Sequence, residues 1–190
     1  MSMVEYGGRS ARILDFDIEN MPLTYGGADF TFSDITAIAC KWIGATHHYV
    51  WLVGGDDPKQ MLEEFSVLYR KADLVTGHYI RNHDCPIING ALVELGLPEL
   101  PRKMTCDTKN DLIGFSGISK SQENLAEMFG LKAQKVQMNQ VKWRAANRFT
   151  QEGLKLTRKR VVGDIYQHEQ LRAELLRRNL LKAPRPWGTA

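Results

Sequence analysis

Cysteine is scarce in this chain: Cys40, Cys85 and Cys106 are the only three in 190 residues, widely spaced and without a CxxC pair. That pattern argues against a disulfide framework and against a cysteine-built zinc site. Long apolar runs are lacking too, with nothing near the roughly 18 residues of a membrane span. The opening stretch, MSMVEYGGRSARILDF, puts glycine and polar residues where a secretory signal needs an apolar core. There is no internal repeat and no low-complexity linker. Apolar residues still make up 43% of the chain, enough to bury a real core. The expectation is one soluble, cytoplasmic domain over residues 11–182, with 1–10 as a flexible leader and 183–190 as a tail.

A large excess of either charge is also missing, since the net charge is only +3. The charge is unevenly spread, however. Nine Lys and Arg between Lys132 and Arg160 face one acid, Glu152, which leaves the rest of the chain net acidic. Such a block can be a plain solvated face, or an arm that meets phosphates. Trp143 and Phe149 lie within it, where they can stack on bases or join a core.

Arg12–Glu19 reads as a strand, followed by strands over Asp34–Trp42 and His48–Val53 with a hairpin turn at Gly44–Thr46. From Pro58, Met61, Phe65, Leu68 and Ala72 recur at helical spacing. A short strand at Asp73–Gly77 precedes a helix with Asp84 as its N-cap, which Gly96 and Pro98 stop. Lys103–Cys106 is a further strand, Asp107 a further cap, and Ser121 opens a short helix. A long helix runs from near Glu152 to about Asn179, beyond which Pro184 and Pro186 cannot continue it. This order describes a single α/β domain around a mixed sheet.

Asp15, Asp17 and Glu19 alternate along the first strand and so share one face. A row of buried like charges on an apolar strand costs several kcal/mol unless something compensates it. The last helix repeats the anomaly: Asp164 falls inside the stripe of Thr157, Val161, His168, Leu171 and Leu175. Asp17, Glu19, Asp84 and Asp164 together form an oxygen-only set suited to Mg²⁺ or Mn²⁺. Two such ions can orient a water and polarise a phosphodiester.

On these residues the chain resembles the DEDD-type 3′–5′ exonucleases of the DnaQ-like group. Phe16–Asn20 (FDIEN) is similar to the first motif, Thr76–Pro86 (TGHYIRNHDCP) to the second, and Val161–Asp164 (VVGD) to the third. Cys106–Thr108 and Asn124–Leu131 are similar to the segments between them. The resemblance implies an RNase H-like fold, with a five-stranded mixed sheet, strand two antiparallel and helices on both faces. It implies that Asp17, Glu19, Asp84 and Asp164 ligate two Mg²⁺ or Mn²⁺ ions. The implied substrate is the 3′ end of a single strand, DNA or RNA, within DNA replication or repair and with a polymerase as a candidate partner. No membrane partner is expected.

Two departures stand out. The family places a tyrosine four residues, or a histidine five residues, before the last aspartate; here those positions hold Arg160 and Lys159. Arginine is always protonated and cannot be a general base, though it can hold a phosphate. His168, one turn after Asp164, is the candidate imidazole. The family's asparagine five residues before the second-motif aspartate is Tyr79 here. Asn20, Met21, Tyr79, His83, Lys159 and Arg160 are the candidate nucleic-acid contacts. The alternatives are a ribonuclease or structure-specific endonuclease on the same fold, or a non-catalytic nucleic-acid-binding module that has lost its water-positioning residue.

Overall fold

A computed structural model describes residues 4–6, 8–24, 30–133 and 136–188. Its first elements lie in the segment expected to be a leader: β1 (Val4–Tyr6) and β2 (Arg9–Ala11) pair antiparallel as a two-stranded sheet. The main sheet begins with β3 (Ile13–Thr24), β4 (Phe30–Trp42) and β5 (Tyr49–Leu52), joined antiparallel. After α1 (Pro58–Lys71), β6 (Leu74–Gly77) returns parallel to β3. After α2 (Asp84–Glu94), β7 (Lys103–Asp107) pairs parallel with β6. Helices α3 (Gln122–Met128), α4 (Gln140–Asn147) and α5 (Gln151–Arg177) follow, then β8 (Arg185–Trp187). The sheet order is β5-β4-β3-β6-β7-β8. No helix among the described residues is long and apolar enough to cross a membrane.

The sheet therefore has six strands, one more than the expected five, because the tail supplies the sixth. Helix α5 ends at Arg177, well before Pro184 and Pro186, with Asn179 left-handed at φ +57° and Leu180 N–H bonded back to Leu175 O at 2.9 Å. Proline is tolerated on an edge strand that need not donate. β8 lies antiparallel on β7, with Arg185 O accepting from Thr105 Oγ1 at 2.7 Å. Trp187 Nε1 donates to Arg81 O at 3.1 Å. The expected antiparallel second strand is β4, and helices cover both faces.

Alternation along β3 sorts its side chains between those faces. Leu14, Phe16 and Ile18 join Ile38, Cys40 and Trp42 of β4 in the main core, under Met61, Phe65 and Tyr69 of α1 and Ile88 and Leu92 of α2. Burying each such large apolar side chain stabilises the fold by roughly 1.5–3 kcal/mol. The opposite face carries Ala37 and Ala39 of β4, packed with Leu52, Val161 and Ile165. These small residues let α5 lie close on the sheet, directly over the face that bears Asp15, Asp17 and Glu19.

The α4–α5 corner depends on one glycine. A Cβ on Gly153 would lie 2.1 Å from Ala145 O, so only glycine permits this approach of the two helices. Thr150 caps α5 through Gly153 N–H at 3.0 Å, and Asn139 caps α4 through Lys142 N–H at 2.9 Å. The resulting helical corner carries most of the basic arm, with Arg144, Arg148, Lys155, Arg158 and Lys159 exposed. Lys135 lies outside the described residues.

Candidate active site

The register of the central strands opens the site. β6 pairs with β3 only from Ile13 to Asp15, whereas β4 follows β3 as far as Thr24. Past Asp15 the β6 side of β3 is unpaired by strand, at the carboxyl end where α/β sheets form crevices. Asp84 takes up the backbone there: its Oδ1 accepts from Ile18 N–H at 3.2 Å. Asp84 was expected to be the N-cap of α2. The cap position is His83, with no side-chain cap bond, and Asp84 is instead the first helical residue, 2% exposed. Its charge sits favourably at a helix N-terminus while its side chain ties α2 to β3.

A β-bulge lies beside the acidic row. Glu19 pairs with Ala37 but Asn20 with Ile35, which leaves Thr36 extra on β4. Thr36 Oγ1 donates to Glu19 O at 3.1 Å, and Asn20 comes to line the same cleft as Glu19. That cleft, about 360 Å³, is lined by Asp17, Glu19, Asp84 and Asp164 together. Asp17, Glu19 and Asp164 form the tight group, each offering an oxygen within 4.8 Å of the others. Asp84 borders the cleft outside that group.

This donor set fits a divalent cation. It contains only hard carboxylate oxygens, and two of its members are nearly inaccessible to water, Glu19 at 7% and Asp164 at 2% exposure. Three carboxylates at such range repel one another unless cations balance them. One balancing charge is internal. Arg160 Nε donates to Glu19 Oε1 at 2.5 Å, and its Nη1 donates to Val136 O at 3.1 Å. The guanidinium also lies 5.1 Å from the centre of the Trp143 ring. Helical spacing places Arg160 one turn before Asp164, on the same side of α5.

The described structure is similar to that of a family B DNA polymerase from the hyperthermophilic archaeon Pyrobaculum calidifontis. The TM-score is 0.67 at 16% sequence identity, over 91% of this chain and 25% of the polymerase. The likeness is one of fold. No protein-family model matches the chain, and no curated protein matches its sequence. The chain spans about a quarter of the polymerase it resembles. A mixed α/β architecture of this order is compatible with an RNase H-like fold, extended here by β8.

The remaining sequence candidates divide. Asn20, Tyr79, His83 and Arg160 line the cleft with the carboxylates. Met21 instead lines a separate, more apolar cleft with Met61, Leu62 and Phe149. Lys159 is exposed on α5 and does not border the site. His168 departs furthest from expectation. It is 2% exposed, with Nδ1 2.7 Å from Asp15 Oδ1 and Nε2 3.0 Å from Thr108 Oγ1. Both ring nitrogens are engaged with Asp15 and Thr108, and His168 does not line the cleft. Burial holds the Asp15 carboxyl above its ordinary range, partly offset by His168.

Several cleft residues carried no signal of their own in the sequence. Gln122 reaches the site because Ser121 caps α3 just before it, and its Nε2 donates to Asp164 O at 2.9 Å. Lys109 lies over the Tyr79 ring at 3.8 Å. Tyr79 itself has φ of +73°, a left-handed conformation that L residues avoid. Asp107, expected to cap a helix, pays for that strain as a buried turn anchor. Its oxygens accept from the backbone N–H groups of Tyr79, Arg81, Lys109 and Asn110 and from Asn110 Nδ2, at 3.0–3.1 Å.

His78, at the cleft wall, completes a buried chain, its Nδ1 2.9 Å from Thr108 Oγ1. Burial, then the nearby His168, lowers its imidazole to about 3 from an ordinary 6.5. The folded chain thus keeps His78 neutral where the unfolded chain already binds a proton. Stability contributed by this neutral imidazole is complete above pH 6.5 and is lost progressively as the pH falls from there toward 3. The slope approaches roughly 1.4 kcal/mol per pH unit. His78→Gln is expected to flatten that slope in a urea-denaturation series through the window. A slope equal to that of the unaltered protein would show that His78 is not the group responsible. In the same wall, hydrogen bonding to Asp84 raises the His83 imidazole.

Proposed function

We propose that this chain is a metal-dependent 3′–5′ exonuclease that hydrolyses the phosphodiester bonds of single-stranded DNA, in proofreading or DNA processing. The observation that carries the reading is the convergence of Asp17, Glu19 and Asp164 within 4.8 Å, from a strand and a helix far apart in sequence. Asp84 borders the same cleft, and the basic α4–α5 corner adjoins it through Trp143 and Arg160. The likeness in fold to part of a DNA polymerase supports a role in nucleic-acid processing.

In this reading Asp17, Glu19, Asp84 and Asp164 hold two Mg²⁺ or Mn²⁺ ions, which when bound polarise the phosphodiester and lower the pKa of the attacking water. The chain's own residues do the rest. Lys109 and Arg160 offer cations to the phosphates, and Tyr79 and Trp143 offer ring faces to the terminal bases. His83, held by Asp84, presents an N–H at the cleft wall. Asn20, re-aimed by the bulge, contacts the terminal nucleotide.

The test uses 5′-labelled single-stranded DNA and RNA with Mg²⁺ or Mn²⁺, beside a chelated control and a circular single strand. A metal-dependent ladder shortening from the 3′ end, with the circle intact, is the expected result, and the preferred sugar is read from the same gel. Cleavage of the circle would favour an endonuclease. A second reading rests on α5, where Arg160 and Lys159 stand in place of the tyrosine or histidine that precedes the last aspartate and where His168 is buried away from the cleft. It describes a binding module, and it predicts tight binding that survives chelation with no product at any Mn²⁺ concentration.

A further inference from the structure

We propose that Arg160 is a resident cation on the acidic cluster that must exchange from Glu19 to a substrate phosphate, so that nucleotide and metal bind cooperatively. The inference rests on the nuclease reading above and goes beyond it.

The Arg160–Glu19 pair is secluded, with side-chain exposures of 15% and 9%. Its geometry is specific: Nε faces Glu19 Oε1, Nη1 faces Val136 O, and the plane lies near the Trp143 ring. Glu19 belongs to the tight carboxylate group, so the guanidinium and a divalent cation compete for the same negative charge. Arginine cannot relieve that competition by losing a proton, because its pKa lies above 12. It can only move. The same planar fork that holds a carboxylate also suits a phosphate, and the residue borders the cleft in which a phosphate would lie. A phosphate in the cleft therefore draws Arg160 from Glu19 and frees that carboxylate for metal. By thermodynamic linkage the effect is reciprocal, each ligand tightening the other by the same factor.

Mn²⁺ binding, measured by the paramagnetic resonance of the free ion, tests this without any turnover. Thymidine 5′-monophosphate serves as the phosphate probe. The unaltered protein is expected to bind Mn²⁺ weakly alone and about tenfold more tightly with the nucleotide present. Arg160→Gln is expected to bind Mn²⁺ about tenfold more tightly than the unaltered protein without nucleotide, and to gain little when nucleotide is added. Arg160→Lys keeps the charge and is expected to stay near the unaltered protein in its metal affinity. Two results would overturn the exchange: Arg160→Gln binding Mn²⁺ no more tightly than the unaltered protein, or equal nucleotide coupling in both. A lysine variant that behaves as the glutamine one would overturn it as well, since charge would then not be what competes. If the unaltered protein binds no Mn²⁺ with or without nucleotide, the nuclease reading falls and this one with it. Mn²⁺ binding with the predicted coupling but no strand cleavage would leave the exchange standing and remove only the nuclease.

Discussion

The Asp164→Asn substitution is expected to lower 3′-end hydrolysis on the order of a thousandfold while leaving the fold in place. Asp164 is 2% exposed and faces Asp17 and Glu19 within 4.8 Å, so it cannot be replaced by a water without rearranging the group. Asparagine matches its shape but removes the negative charge that a divalent cation requires. The same change removes like-charge repulsion from the metal-free protein. Its melting temperature under chelation is therefore expected to be equal or higher, by an amount corresponding to about 1 kcal/mol. Single-turnover cleavage and thermal melts on one preparation check both halves. Unchanged cleavage would remove Asp164 from the machinery, and a large loss of stability would make it a structural residue instead.

Asp107→Ala is expected to have the largest effect on stability, roughly 3–5 kcal/mol by urea denaturation. The Asp107 carboxylate is fully buried and accepts five hydrogen bonds, four of them from backbone N–H groups. Truncation leaves those donors without partners and releases Tyr79 from its left-handed conformation. Arg81 is also tied to Asp111, whose Oδ2 accepts from Asp107 N–H at 2.9 Å, so one anchor partly supports the other. Asp107→Asn is expected to lose nearly as much, because an amide nitrogen would face donors on one side. A midpoint shift below about 1 kcal/mol would show that the turn holds without this anchor. Because the turn leads into Asp84, loss of nuclease activity is expected to accompany the loss of stability.

Much of this architecture is legible before any coordinates are seen. Period-two alternation in Ile13–Glu19 already separates an apolar face from an acidic one. The three-four stripe of α5 already carries Asp164 among Val161, Leu171 and Leu175, all of them buried. Ser121 and its short helix, the hairpin at Gly44 and the breaks at Gly96 and Pro98 follow from local backbone chemistry. These features depend on near neighbours, and near neighbours are what a sequence displays.

The tertiary structure decided the fates of groups that look alike in sequence. Asp15, Asp17 and Glu19 share one face, yet Asp15 is sealed between that face and α5 against His168 while its two neighbours enter the cleft. The difference is where β6 stops pairing, a matter of register between distant segments. Asp84 and Asp107 both precede turns or helices and both read as caps, but one reaches across to β3 and the other gathers five donors from two loops. The tail reads as a helix breaker from its prolines alone, and only the free edge of β7 makes it a strand. Composition and spacing by themselves determined that this is an α/β chain with misplaced carboxylates. That Arg160 balances one of them, and that His168 does not reach the cleft, depended on packing between residues more than a hundred positions apart.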